Sequence, residues 1–293
     1  MSGEVHAYSI KVKDFDLDKT LDCGQTFRWY KSDEGWHGVI RDRVVFARQR
    51  NGTLEISTNK PWSIGEIVEY FGLRDDLKTI KETLLERAES FPKQVRGSFE
   101  KAFNHSWGLR ILRQDPYEMT ASYLFSVQTS IPLIQRRLEA LARFFPENRI
   151  EFLGKEFYLF PTLDQLKRLT MEKWLSLGLG FRAKWLYHFA RKMRDSFFAR
   201  LRDLSLSKKL EELTRIDGIG YKVASCVTLF GYGELNSFPV DVWIRKALKD
   251  LFGVEGSTKR LMEKGMELFE PFAGYAQEYL FREYRTVRRL DKS

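Results

Sequence analysis

Along the first sixty residues, apolar and polar side chains alternate with a period of two. The stretch GWHGVIRDRVVFARQRNGTLEIST sets β-branched and aromatic residues against polar ones, and its Asn51-Gly52 pair is a strong two-residue hairpin signal. SIKVKDFDL and QTFRWYKSDEGWHGV read as further strands, joined at Asp33–Gly35. Together these segments predict a small, twisted antiparallel sheet. From Ile64 onward the period changes to that of amphipathic helices. DDLKTIKETLLERA, IPLIQRRLEALARFF, SLSKKLEELTRI, GYKVASCVTLFG, DVWIRKALKDLFG and TKRLMEKGMELFEPFAGYAQEYLFREYR are among them, with Gly, Pro, Asp, Ser or Thr at most joints. No internal repeat and no low-complexity linker intervenes. The expected fold class is α+β: a small N-terminal antiparallel β-sheet domain, residues 1–105, packed on a larger all-α domain, residues 106–293.

Charge adds a partner to this picture. Lys and Arg number 49 against 40 Asp and Glu, a net charge of +9. That excess suggests a polyanion, most simply nucleic acid, because phosphate neutralisation with counterion release drives such binding. The cysteines, Cys23 and Cys226, supply neither a disulfide framework nor an all-cysteine zinc or iron–sulfur site, and His is scarce at four. No metal and no cofactor is expected. No apolar run approaches the ~18 residues of a bilayer span, and no signal-peptide pattern opens the chain. An intracellular protein without a membrane partner is expected.

The chemistry concentrates in SLSKKLEELTRIDGIGYKVASCVTLFG. A Ser-capped helix turns at Asp217-Gly218-Ile219-Gly220 and restarts at Tyr221, a helix–hairpin–helix over residues 207–230. Gly218 and Gly220 permit positive φ and close approach of another chain. The amides of the hairpin and of the new helix then offer a phosphate site that positions a backbone and carries no sequence information. Lys222 falls in the first turn, where a cation is disfavoured by about 0.3–1 kcal/mol. A structural lysine has no reason to accept that cost, whereas a nucleophilic amine does. This stretch alone reads equally well as a lysine that contacts phosphate. Cys226, four residues on, shares the helical face of Lys222.

Downstream comes SFPVDVWIRKALKDLFG, whose Asp241 lies nineteen residues after Lys222. Pro239 fixes an extended entry, and Asp241 stands at the N-cap of an amphipathic helix. Most capping aspartates only cap. Here the carboxylate follows the hairpin by one helix and one short loop, so an amine and an acid are brought toward one cleft.

IDGIGYKVASC followed by FPVDVW resembles the helix–hairpin–helix DNA glycosylases, whose bifunctional members pair a Gly-rich hairpin and a lysine with a downstream Pro-Val-Asp. CGQTFRW at 23–29, LGLGFRAKWL at 177–186 and FAGYAQEYLF at 272–281 narrow the resemblance to the 8-oxoguanine glycosylase branch, and it covers nearly the whole chain. Residues 1–105 then correspond to the β-rich, TBP-like domain and 106–293 to the helical catalytic domain. The resemblance implies a monomer that acts on double-stranded DNA containing 8-oxoguanine. It excises the base and nicks the abasic site as a lyase. The branch is eukaryotic-type in a chain that looks prokaryotic, so the cytoplasm or nucleoid of a prokaryote is the expected location.

Residue by residue, the resemblance implies that Lys222 attacks C1′ of the flipped nucleoside and holds the sugar as a Schiff base, while ionised Asp241 stabilises the developing positive charge. The backbone carbonyl of Gly24 would read the N7 hydrogen that separates 8-oxoguanine from guanine. Gln277 would bond the pairing edge, Cys226 and Phe281 would sandwich the ring, and Pro239 would join them in the base pocket. Gln128 would fill the gap left by the flipped base, Phe181 would wedge beside the orphaned cytosine, and Arg182 would contact it. Leu133 stands where a second cytosine-reading arginine is often found, which predicts a relaxed preference for the opposite base. Trp243 replaces a histidine that often binds phosphate. Two rivals stay open: a glycosylase of this superfamily for another oxidised base, and a non-catalytic damaged-DNA-binding protein.

Overall fold

In a computed structural model, which describes residues 4–290 and side chains through 285, the alternating segment forms one five-stranded antiparallel sheet. Its strands are β1 (His6–Lys11), β2 (Trp29–Ser32), β3 (Gly35–Ile40), β4 (Arg43–Arg50) and β5 (Thr53–Thr58), in the order β1-β5-β4-β3-β2. Asn51 and Gly52 take φ of 48° and 68°, and Arg50 pairs with Thr53, the left-handed backbone that a two-residue hairpin requires. Two strand expectations run too long. The DFDL end of the first segment is a helix start, since Asp16 accepts the Lys19 amide and caps Leu17–Leu21. QTFR lies outside the ladder, and β2 begins at Trp29.

One face of the sheet buries Trp29, Val45, Ala47, Leu54 and Ile56 against Trp62, Tyr70 and Phe71. The other face, through Val39 and Val44, meets Phe152 and Phe157. Those two belong to a hairpin, β6 (Arg149–Phe152) and β7 (Lys155–Tyr158). This hairpin departs from the all-α expectation for residues 106–293. Its apolar face covers sheet surface that water would otherwise meet.

The helices Leu77–Ala88 and Lys93–Ser106 pack on Thr258–Phe269 and Ala273–Leu290, with Phe99 stacked on Phe269 at 5.3 Å. Residues on both sides of 105/106 therefore share one apolar core. Between them the chain crosses from one half to the other at 107–115. Arg110, 4% exposed, fastens that crossing by donating to the carbonyls of Lys13, Asp14, Gly72 and Asp75. Gln25 ties the 23–29 segment to the same crossing: its Nε2 donates to the carbonyls of Thr20 and Arg110, and its Oε1 accepts the Leu112 amide at 2.8 Å. A satisfied buried network of this kind leaves the neighbouring backbone at Gly24 one conformation.

Candidate active site

The two glycines of the hairpin do different work. Gly218 has φ +87°, and a Cβ there would stand 2.4 Å from Trp185 Cδ2, so the fold itself requires glycine. Gly220 is exposed, and a Cβ on it would meet nothing within 4 Å. Nothing inside the protein requires that bareness. Gly220 opens the helix Tyr221–Tyr232 without any side-chain cap, an arrangement suited to an external phosphate.

Lys222 sits half-buried in the first turn of that helix, its Nζ 4.9 Å from the centre of the Tyr123 ring. Asp241 caps the helix Val242–Phe252, its Oδ1 accepting the amides of Trp243 at 3.0 Å and Ile244 at 2.9 Å. Both side chains line one cavity of about 660 Å³. Burial pushes the Asp241 carboxyl above the ordinary aspartate value, against the opposing pull of the Ile244 amide and the Lys222 charge. Desolvation outweighs the cap. Burial likewise pushes the Cys226 thiol up to about 11, so Cys226 is a neutral, apolar surface at physiological pH.

The same cavity is lined by Gly24, Cys226, Pro239, Gln277 and Phe281. Gly24 has φ +100°, and a Cβ would come within 2.9 Å of Ile131 Cδ1 and 3.8 Å of Phe281. Gln277 is 4% exposed, and its Oε1 has no hydrogen-bond partner in the protein. Buried polar atoms are rarely left so. Glu278 and Arg285 also line the cavity, and sequence reasoning passed over both. Arg285 Nη1 donates to the Cys23 carbonyl at 3.3 Å. The signal for it was spacing: Gln277, Phe281 and Arg285 recur every four residues on one helix.

Gln128 lines the rim with φ +53°. Phe181 and Arg182 do not line the cavity, but they stand next to Gln128. Arg182 Nη1 donates to the Val127 carbonyl at 2.7 Å, and its guanidinium lies 5.1 Å from the Phe181 ring. Phe181 is 54% exposed, a large apolar side chain presented to the outside beside the rim. Leu133 occupies the first turn of the helix Ile131–Ala142, half-buried. Trp243 borders the cavity next to Asp241.

Comparison with known proteins places the chain in a family. Residues 7–120 match the model of the 8-oxoguanine DNA glycosylase N-terminal domain, and residues 122–271 match that of the HhH-GPD superfamily of base excision DNA repair proteins. The chain belongs to the 8-oxoguanine glycosylase branch of the HhH-GPD superfamily. The N-glycosylase/DNA lyase OGG1 of Arabidopsis thaliana is 30% identical over 280 residues, 90% of this chain and 76% of the plant protein. A probable N-glycosylase/DNA lyase of Methanothermobacter thermautotrophicus is 26% identical over 97% of each chain. The 8-oxoguanine glycosylase/lyase of Clostridium acetobutylicum has been solved with duplex DNA containing cytosine opposite 8-oxoG. It superposes with a TM-score of 0.85 at 29% identity, over 98% of this chain and 100% of that one.

Proposed function

We propose that this protein excises 8-oxoguanine from duplex DNA and cleaves the resulting abasic site, with Lys222 as nucleophile and Asp241 as the anion beside the sugar. The observation that carries the reading is the convergence of Lys222, Asp241 and the orphaned Gln277 Oε1 on one cavity behind an uncapped glycine hairpin. In the glycosylase step the Lys222 nitrogen bonds to C1′ as the N-glycosidic bond breaks and its electron pair leaves with the base. Asp241 stabilises the oxocarbenium-like sugar electrostatically. The amine then closes to an imine with opening of the sugar ring. Loss of a proton from C2′ expels the 3′ phosphate oxygen and nicks the strand. Extruding the nucleotide costs a few kcal/mol. Gln128 filling the stack, with Phe181 and Arg182 on the opposite strand, offsets part of that cost. Gly24, Cys226, Pro239, Gln277 and Phe281 hold the base.

Among the described residues no helix is long and apolar enough to cross a membrane. A duplex-DNA substrate implies action inside the cell, which in a prokaryote is the nucleoid. One chain supplies every group named, so the active species in this reading is a monomer. Single-turnover excision from duplexes carrying 8-oxoguanine, thymine glycol or undamaged guanine tests the assignment. Release of 8-oxoguanine at a rate far above the others is expected. Preferential release of the oxidised pyrimidine, or binding without release, would overturn it.

A further inference from the structure

We propose that Glu278 is a further specificity-determining residue, its carboxyl group donating its O–H to the C6 carbonyl oxygen of the flipped purine. The inference rests on the excision reading above. Glu278 follows Gln277 on the helix Ala273–Leu290 and lines the same cavity. It is 4% exposed, and its Oε2 has no hydrogen-bond partner. Two successive side chains on one pocket wall thus each hold an orphaned oxygen. A buried polar atom without a partner costs free energy that a complementary ligand returns.

The position selects the ligand atom. The Glu278 carboxyl lies against the Cys23 thiol, one residue before Gly24. It thus adjoins both neighbours in the chain: Gln277, assigned to the pairing edge, precedes it, and Cys23 precedes Gly24, whose carbonyl is assigned to N7–H. In a purine the C6 substituent lies between N1 and N7. In guanine and 8-oxoguanine that substituent is a carbonyl, which only accepts a hydrogen bond. A carboxylate would repel it, whereas a neutral carboxylic acid donates to it.

The surroundings favour the acid. Cys23 faces Glu278 from the N-terminal segment, Lys222 and Cys226 from the hairpin's second helix, Asp241 from the following cap, Tyr123 from the helix Pro116–Ser126, and Arg285 from its own helix. Burial outweighs the Cys23 hydrogen bond and the two cations and, with Asp241, pushes the carboxyl up to about 8. The division of labour follows. Gly24 registers oxidation at N7, which guanine lacks, and Glu278 registers the 6-oxo purine skeleton, which adenine and the pyrimidine lesions do not present in that place.

The test measures Kd in a Lys222→Gln background for three duplexes: 8-oxoguanine, undamaged guanine and a tetrahydrofuran abasic analogue that has no base. Glu278→Leu is expected to weaken binding to the 8-oxoguanine duplex roughly five- to tenfold and to leave the abasic duplex unchanged. Glu278→Gln, which keeps an N–H donor, recovers most of that loss. Raising the pH from about 7 to about 9 is expected to shrink the background's preference for lesion over abasic duplex as the carboxyl ionises, with a flat response in the Gln variant. Equal weakening on both duplexes would mark a packing role and overturn the inference, as would unchanged binding by Glu278→Leu or a pH-independent preference in the background. If the background does not favour 8-oxoguanine over guanine, the excision reading itself falls and takes this inference with it.

Discussion

Asp241 separates the proposed chemistry from folding, because one side chain is assigned to both. Its Oδ1 caps a helix through two amide bonds of 3.0 and 2.9 Å, and its charge faces Lys222. Asn is as good a cap as Asp, so Asp241→Asn preserves the helix start and removes only the charge. Since burial penalises the carboxylate more than its partners favour it, the Asn variant is expected to be at least as stable as the parent. Asp241→Ala loses the cap as well, about 1 kcal/mol, or roughly 2 °C in Tm for a chain of this size. The kinetic consequence is shared by both. Removing a preorganised group from a developing charge lowers the rate roughly 10²–10³-fold, about 3–4 kcal/mol. Thermal melts alongside single-turnover release of 8-oxoguanine from both variants decide the matter. Release by Asp241→Asn at the parent's rate would refute an electrostatic role. A loss confined to Asp241→Ala would show that capping is all the residue does. The raised carboxyl also sets a sign: the acid limb of the excision profile lies above the range of an ordinary aspartate and vanishes in the Asn variant.

Four further outcomes are expected. Gly218→Ala forces a side chain into left-handed backbone, about 1–2 kcal/mol, and against Trp185, so both Tm and DNA affinity fall. Gly220→Ala, with open space around it, keeps stability within about 1 kcal/mol yet weakens DNA binding in an anisotropy titration; unchanged binding would show that phosphate does not approach there. Excision with C, A, G and T opposite the lesion is expected to vary little, because Leu133 offers no hydrogen bond to cytosine; a strong cytosine preference would contradict this. The folded-state value of Glu278 is raised from 4.5 to about 8. Its contribution to stability is therefore full below about 4.5 and is lost as pH rises through about 8. Glu278→Gln is expected to gain a few kcal/mol over the parent at alkaline pH and nothing near pH 4 in denaturant titrations.

The amount legible in the sequence differed by element for physical reasons. Asn51-Gly52 fixed a hairpin register because few residue pairs accept two successive positive φ values. The second helix of the hairpin, and Asp241 ahead of its own, were legible from capping and glycine chemistry. Lys93–Ser106 was not read as a helix. It begins after Pro92 with no side-chain cap and carries Gly97 in its interior, so local signals are weak and tertiary packing supplies its stability. The β6–β7 hairpin was hidden by its shortness, four residues a strand. Gly24, Gln277 and Phe281 came from resemblance alone: a backbone carbonyl leaves no side-chain pattern, and the other two read as core positions of an amphipathic helix. Glu278 was missed because a glutamate on a helix is normally solvated. Only the three-dimensional structure brings its orphaned oxygen into the cavity wall.

Lys222 is proposed to bond covalently to deoxyribose through its nitrogen, and borohydride reduction tests that bond most directly. With duplex bearing 8-oxoguanine, the parent protein should be captured as an adduct whose mass equals protein plus DNA fragment. Peptide mapping should place the adduct on residue 222, and Lys222→Gln should give neither adduct nor excision. An adduct on another amine, or a Gln variant that removes the base and cuts the strand as fast as the parent, would contradict it.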